Sequence, residues 1–304
     1  MIRRVAILAL TLAGLNSFAG TFRIATYNVE NYLDQPTASR SQIKSAEAKA
    51  KVRETIRMIN PDVIALEEMG GTNALLELRA SLKADGQDFP FWEHVQSFDD
   101  SIHVAVLSKF PIVARHPHTN EIFLLDGKRF QVKRGFAEVE IQVATNYTFT
   151  LIAAHLKSKL GTPGADADEE RLGEAKILRG IVDERLVKNP AAKIIVLGDF
   201  NDEKNSAAVK EIIGHGKTKL TDTRPAERND DHAYADNFYH EPRNIAWTYF
   251  YGRNDTYARI DYILLSPALR QNWRADETYI PVIPNWGIGS DHRPIVAGFT
   301  TDGN

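Results

Sequence analysis

From Thr21 to Phe299 the chain alternates short apolar runs with amphipathic stretches. The runs Phe22–Tyr27, Val63–Leu66, His103–Leu107, Phe136–Val143, Phe149–Ala154, Lys193–Leu197, Ile260–Leu265 and Ile295–Phe299 are rich in β-branched or aromatic residues and end at polar or turn residues, which predicts strands. Helical spacing predicts helices over Ile43–Ile59, Asn73–Leu82 and Asp168–Val187. The first aligns Val52, Ile56 and Ile59 and stops at Asn60-Pro61. The third repeats Leu178, Ile181, Val182 and Leu186 behind an acidic start that complements the helix dipole. Only a few residues around Asn146 separate the strands at 136–143 and 149–154, the spacing of an antiparallel hairpin. The mixture predicts an α/β sandwich, rich in sheet and in antiparallel pairing, rather than a parallel doubly wound fold. No repeat, low-complexity tract or linker marks a second domain between residues 20 and 304.

The first 19 residues read differently. Arg3 and Arg4 precede an apolar run from Val5 to Leu15, and Ser17 and Ala19 occupy the small-residue positions of a cleavage site. This is the pattern of a signal peptide, with a mature chain from Gly20 in the periplasm or secreted; the run is too short to span a bilayer. An uncleaved anchor or a buried first strand is the alternative. Loss of the peptide lowers Lys plus Arg from 37 to 35 against 40 acidic residues, so the net charge moves from −3 to −5. That balance supplies no global attraction to nucleic acid or anionic membranes, though a local basic patch is compatible with it. The absence of cysteine excludes disulfides, thiolate metal sites and Cys nucleophiles.

The candidate chemistry lies where the strands stop. The first strand runs into Asn28 and Glu30, the second into Glu67 and Glu68, and the run Leu151–Ala154 into His155 and then Lys157. Ile194–Leu197 ends in Gly198-Asp199-Phe200-Asn201, Asp261 lies in Arg259-Ile260-Asp261-Tyr262, and Ser290-Asp291-His292 precedes the last strand. One carboxylate at the edge of an apolar core is explained by capping a turn. A set of them at strand ends points to a common site, because each is costly there unless paired, hydrogen-bonded or metal-bound. Oxygen donors with few histidines favour a hard cation, Mg²⁺ first, with Mn²⁺ and Ca²⁺ as alternatives.

Thr26-Tyr27-Asn28-Val29-Glu30, Ile64-Ala65-Leu66-Glu67-Glu68, Gly198-Asp199-Phe200-Asn201, Arg259-Ile260-Asp261-Tyr262 and Ser290-Asp291-His292 resemble, in order, the motifs of the endonuclease/exonuclease/phosphatase superfamily. The resemblance covers Thr21 to Phe299 and implies a four-layer sandwich of two mainly antiparallel β-sheets flanked by helices, as in deoxyribonuclease-I-like proteins, and metal-assisted hydrolysis of phosphate esters. Carried over by position, it implies Glu68 as principal metal ligand, with Asn28, Glu30 and Asp291 around it. It implies Asp199 as the group that orients and deprotonates water, and Asn201 as a donor to the phosphate. It implies His292 as a phosphate contact held by Asp261, and His155 as general acid or phosphate donor. Two departures stand out: Glu67 where Gln is frequent, and Lys157-Ser158-Lys159 after His155. Strand alternation turns Glu67 away from Glu68, against the alternative of a second metal contact.

Arg134 and Lys157 are candidate substrate-binding residues; Arg134 reads equally as a surface arginine on a strand edge. His116-Pro117-His118 and the pair His232/His240 lack the spacing of a zinc site. Asp166, Asp168, Glu169 and Glu170 read as a helix start. Asn146-Tyr147-Thr148 and Asn254-Asp255-Thr256 are sequons, relevant only in a glycosylating host. Two segments are expected to shape the pocket, a mobile loop over 157–170 and a polar stretch over 224–243. The expected function is that of an exported, monomeric phosphodiester hydrolase whose partner is a phosphate-ester substrate, nucleic acid first, without stable membrane insertion. A phosphatase or phospholipase-C-type hydrolase on the same fold, acting on sphingomyelin or an inositol phosphate, is the alternative; the acidic charge favours it, and the lack of an evident aromatic hairpin for membrane entry counts against a lipid enzyme. A non-catalytic binding module is a third reading, which a missing ligand residue would favour; none is missing.

Overall fold

The computed structural model describes residues 20–161, 165–228 and 244–302. Residues 1–19, read above as a signal peptide, Pro163, Gly164, His232, His240 and most of the 224–243 segment lie outside these described residues.

In chain order the elements are β1 (Thr21–Tyr32), α1 (Ala46–Ile59), β2 (Val63–Met69), α2 (Thr72–Ala84), β3 (Phe91–Val95), β4 (His103–Ser108), β5 (Ile112–Arg115), β6 (Ile122–Leu125) and β7 (Lys128–Gln131). They continue with β8 (Phe136–Ala144), β9 (Tyr147–His155), α3 (Ala167–Lys188), β10 (Ile194–Asp199), α4 (Ala207–Ile213) and β11 (Thr221–Asp222). The last are β12 (Tyr249–Tyr251), β13 (Thr256–Ala258), β14 (Asp261–Leu265), β15 (Trp273–Tyr279) and β16 (Ile295–Thr300). One six-stranded sheet has the order β15-β16-β1-β2-β4-β3, and the other β11-β14-β10-β9-β8-β5. We call them the first and second sheet. The pairs β1–β2 and β9–β10 are parallel and their other neighbours antiparallel.

Side-chain alternation builds four layers from these two sheets. Phe22 and Ile24 of β1, Val63 and Ala65 of β2, Leu151 and Ala153 of β9, Ile195 and Leu197 of β10, and Ile263 and Leu265 of β14 share one core between the sheets. Residues of opposite parity in the first sheet, such as Ala25, Tyr27, Ile64 and Leu66, pack under Val52 and Ile56 of α1 and Leu75 and Leu78 of α2. In the second sheet Ile152, Val196 and Leu264 pack under Leu178 and Val182 of α3 and Val209 of α4. Each aliphatic side chain fully withdrawn from water contributes about 1.5–3 kcal/mol, so the three clusters carry the fold. All eight expected strands and three expected helices are present. β1 extends beyond its expected end because its pairing with β2 continues to Asn28 and resumes at Tyr32. β3, β5, β6, β7, β11, β12, β13, β15 and α4 are additional; they are short or half-buried, and so lack a clear apolar period.

α3 is less amphipathic than its leucine spacing suggests, because it also buries Arg171, Glu174 and Arg179. Arg171 and Glu174 brace the connections near the ends of β9 and β10, while Arg179 ties α3 to the end of α4 through the Ile212 and Ile213 carbonyls. Arg171 Nε donates to Asp202 Oδ2 at 3.0 Å and Nη1 to the Lys157 carbonyl at 3.1 Å. Glu174 accepts the backbone N–H of Lys157 at 2.6 Å and of Lys133 at 3.3 Å. The expected helix start is observed: Asp166 caps α3 by accepting from the N–H groups of Asp168 and Glu169. Among the described residues no helix is long and apolar enough to cross a membrane.

Candidate active site

The inward rows of five strands change from apolar to polar at the same end of the sandwich. In β1 the row runs Phe22, Ile24, Thr26, Asn28; in β2, Val63, Ala65, Glu67; in β9, Leu151, Ala153, His155; in β10, Ile195, Leu197, Asp199; in β14, Leu265, Ile263, Asp261. Register does the rest. Asn28 lies beside Glu67 across the parallel β1–β2 pair. Asp199 lies between His155 on β9 and Asp261 on β14. Gly198 makes that alignment feasible: it has φ +131°, and a Cβ there would lie 1.9 Å from the Ala154 carbonyl oxygen of the neighbouring strand. Phe200, next after Asp199, stacks on Tyr262, next after Asp261, at 5.1 Å between centroids. Arg259 in turn grips both Asp222 oxygens, at 3.0 and 2.6 Å. The apolar residues of the Gly-Asp-Phe-Asn and Arg-Ile-Asp-Tyr segments thus couple the two strands that carry the aspartates.

Asp199 is the centre of the hydrogen bonding. Its Oδ1 accepts the Asn201 N–H at 2.8 Å and its Oδ2 accepts Asn28 Nδ2 at 3.0 Å, a bond that joins the two sheets. His155 Nε2 lies 3.5 Å and His292 Nε2 3.8 Å from Oδ2. His292 Nδ1 is 3.0 Å from Asp261 Oδ2. Asp261 is itself fixed through Thr248, whose hydroxyl accepts the N–H groups of Ile260 and Asp261 at 3.2 Å. Ser290 ties the last segment to the first: its hydroxyl donates to the Asn28 carbonyl at 2.7 Å and accepts the His292 N–H at 3.0 Å.

Burial and these neighbours divide the protons. Burial pushes the Asp199 carboxyl up, with Asp261 adding to it, against the opposing charge of His292. Burial opposes protonation of His292, but Asp261 and Asp199 outweigh it and hold the imidazolium. His155 is kept neutral by burial first, then by Arg134, His292 and Arg40. Glu67 is held protonated by burial; it is fully enclosed and accepts the Thr26 hydroxyl at 2.7 Å.

Toward solvent stands a second group. Glu68 accepts the Asn31 N–H at 3.0 Å, is 3.4 Å from Asn28 Nδ2 and is 4.0 Å from His155 Nε2. Asp291 is pushed up to about 6 by burial, an effect that His292 opposes and the like charges of Glu30 and Glu68 reinforce. Asp291, whose charge Glu30 and Glu68 oppose, forms with them a group of carboxylates that suits a divalent cation. Asp199, Asp261 and His292 also place ligand atoms within 4.8 Å of one another. In that trio His292 Nδ1 is engaged by Asp261 at 3.0 Å, and its Nε2 faces Asp199 at 3.8 Å.

All five expected catalytic residues, His155, Asp199, Asn201, Asp261 and His292, gather in this cluster, with Asn28, Glu30, Glu68 and Asp291 beside them. Asn28 directs its amide nitrogen to the two carboxylates and its oxygen to the Glu30 N–H at 2.9 Å, bridging the two halves. Asn201 Nδ2 donates to the Leu156 carbonyl at 2.9 Å, anchoring the turn after β10. Arg134 is not a surface arginine: it is buried, donates to the Leu156 carbonyl at 3.0 Å and lies 3.5 Å from Asp99. The Lys157 ammonium folds back on its own loop, donating to the carbonyls of Ser158 and Leu160. Glu67 does not turn away from Glu68 as strict alternation requires. Glu68 has φ +59° at a break in the β2–β4 ladder, and both side chains reach the site end. His118, bracketed by Glu121 and Glu138, belongs to an ion-pair network on the second sheet.

Sequence reasoning missed the wall beside Glu30 and Asp291. A cleft of about 670 Å³ is lined there by Tyr249, Tyr251, Arg253 and Trp286. The hairpin β12–β13 forms much of it, with Tyr249 4.8 Å from the His292 ring and Phe250 N–H donating to the Asp291 carbonyl at 3.0 Å. An aromatic hairpin is therefore present, contrary to expectation. The run Trp247-Thr248-Tyr249-Phe250-Tyr251 was its only signal.

Similar architecture occurs in the catalytic domain of human Nocturnin with bound sulfate (15% identity, TM-score 0.61, covering 92% of this chain and 94% of that one). It occurs also in beta toxin from Staphylococcus aureus (18%, 0.61, 91% and 99%) and in sphingomyelinase C from Streptomyces griseocarneus (19%, 0.57, 92% and 99%). At such identities these structures establish the fold alone. A search of curated proteins finds no sequence match. The Endonuclease/Exonuclease/phosphatase family, however, matches residues 25–292, a span that opens within β1 and closes on His292. The chain belongs to that family and is a phosphoric ester hydrolase.

Proposed function

We propose that this chain is an exported, divalent-metal-dependent phosphodiesterase acting on nucleic acid. The observation that carries the reading is the placement of Asp199 between the His292–Asp261 ion pair and His155, with Glu30, Glu68 and Asp291 adjoining. Oxygen donors in a cysteine-free chain suit Mg²⁺, with Mn²⁺ or Ca²⁺ as alternatives. A cation held by Glu68, Glu30 and Asp291 would polarise the phosphoryl oxygen and stabilise the leaving oxygen. Asp199, whose raised pKa fits it to accept a proton near neutrality, orients and deprotonates water. The His292 imidazolium, fixed by Asp261, neutralises charge on the phosphoryl oxygens. Neutral His155 donates a hydrogen bond from a ring nitrogen to the same group or to the leaving oxygen, and buried Arg134 favours that neutral state.

Nucleic acid is favoured by the aromatic cleft beside the carboxylates, since every base offers a face for stacking. Export rests on the pattern of residues 1–19. Purified protein with Mg²⁺ nicks supercoiled plasmid, and Asp199→Ala does not; intact plasmid across Mg²⁺, Mn²⁺ and Ca²⁺ would rule out the nuclease. A lipid phosphodiester is the second reading, favoured by Tyr257 and Tyr251 of the hairpin, 58% and 37% exposed. Release of phosphocholine from sphingomyelin vesicles distinguishes it.

A further inference from the structure

Glu30 lines two clefts. Besides the aromatic one it borders a second, of about 460 Å³, lined by Asn31, Ser39, Arg40, Ser41 and Lys44. Its chemistry is cationic and hydroxylic where the first is aromatic. Lys44 is almost wholly buried, donates to the Gly289 carbonyl at 2.8 Å and lies 3.7 Å from Glu30, so it is committed to the protein. Arg40 is not. Its Nε donates to Asn31 Oδ1 at 2.7 Å and its Nη1 to the Ser39 carbonyl at 3.2 Å, while no described residue accepts from Nη2. The side chain is half-buried, and its charge extends as far as His155, whose protonation it opposes.

The turn that presents Arg40 is built in advance of any ligand. Thr37 and Arg40 exchange backbone hydrogen bonds of 2.8 and 3.3 Å. The hydroxyls of Thr37 and Ser39 lie 2.5 and 2.6 Å from that of buried Ser101, beside β4. Ser101 is held in turn by Asp99, which faces Arg134. A guanidinium fixed at two nitrogens and open at the third meets a phosphate with little entropy left to lose.

We propose that the Arg40 cleft binds the phosphate next to the scissile one, so that the substrate is a phosphodiester polymer whose chain crosses Glu30 from the aromatic cleft to Arg40. This rests on the nucleic-acid reading above and specifies it: the enzyme prefers a strand to an isolated diester. A dithymidine monophosphate and its two counterparts, phosphorylated additionally at one end or the other, test it with wild-type protein and Mg²⁺. One counterpart is cleaved with a kcat/KM about tenfold or more above the unphosphorylated diester, mainly through KM, as expected for one charged hydrogen-bonding contact. Arg40→Ala brings the ratio of the two substrates close to one, and Arg40→Lys leaves it between. If Arg40→Ala does not fold, the wild-type ratio and Arg40→Lys decide. A wild-type ratio near one at both ends, or a ratio unchanged by Arg40→Ala, overturns the proposal while leaving the phosphodiesterase intact. If none of the three is cleaved while sphingomyelin is, the nucleic-acid reading falls and the proposal with it.

Discussion

The two sheets contribute unlike halves to one site. The second sheet supplies His155, Asp199 and Asp261 from three adjacent strands in regular register, all buried and each facing a charge or hydrogen-bond partner. The first supplies Glu30, Glu68 and Asp291, where the backbone is irregular. Glu30, Asn31 and Glu68 have φ of +45°, +51° and +59°, at the breaks in the β1–β2 and β2–β4 ladders. Left-handed backbone costs a non-glycine residue about 1–2 kcal/mol, and like charges raise the cost. Regular pairing arranges His155, Asp199 and Asp261, the groups proposed to handle protons, and irregular backbone arranges those proposed to hold a cation.

Loss of each half tests this division. Asp199→Asn lowers kcat by about 10³-fold, in line with removal of a general base, and added metal does not restore it. Glu68→Gln raises the Mg²⁺ concentration for half-maximal activity on the order of 10–100-fold, and excess metal recovers most of the rate. Metal titrations of the two variants decide; rescue of Asp199→Asn, or failure to rescue Glu68→Gln, breaks the division.

Stability follows the same line. Arg171 braces the connections after β9 and β10 through Lys157 and Asp202, so Arg171→Met costs about 1–3 kcal/mol by leaving the Lys157 carbonyl and half-buried Asp202 without their donor. The melting temperature falls by several degrees, and an unchanged value shows that the brace is dispensable.

The smallest effects are pH-dependent and opposite in sign. In the first sheet burial, and then His94, lower His103 from 6.5 to about 4. Its contribution to stability is present above 6.5 and is lost as pH falls toward 4. Beside the second sheet His118 is raised: burial opposes protonation, but Glu138 and Glu121 outweigh it. Its contribution is present below 6.5 and is lost as pH rises through the folded value. Denaturant midpoints against pH should lose the acid-side fall in His103→Phe and the alkaline-side fall in His118→Asn. Identical profiles for wild type and either variant contradict the assignment.

Much of this was legible in the chain because strand ends announce themselves. An apolar run that stops at Asp199 or His155 marks both a strand and the point where its inward row leaves the core, so fold and site were read from the same residues. Glu67 was misjudged because alternation presumes regular backbone, and the bulge at Glu68 depends on a ladder with β4. Arg134 stayed ambiguous because burial of an arginine depends on what packs over it. Arg40 and the aromatic hairpin carried no periodic signal, since neither belongs to a core element.

Local order along the chain determined which side chains end each strand, because alternation and hydrophobic runs are properties of neighbouring residues. Tertiary structure alone decided which ends meet: the ladder puts Asp199 between His155 and Asp261, and the packing of two sheets brings Asn28 to Asp199 across 171 positions. Such pairing is set by the register between distant strands, which no single segment encodes.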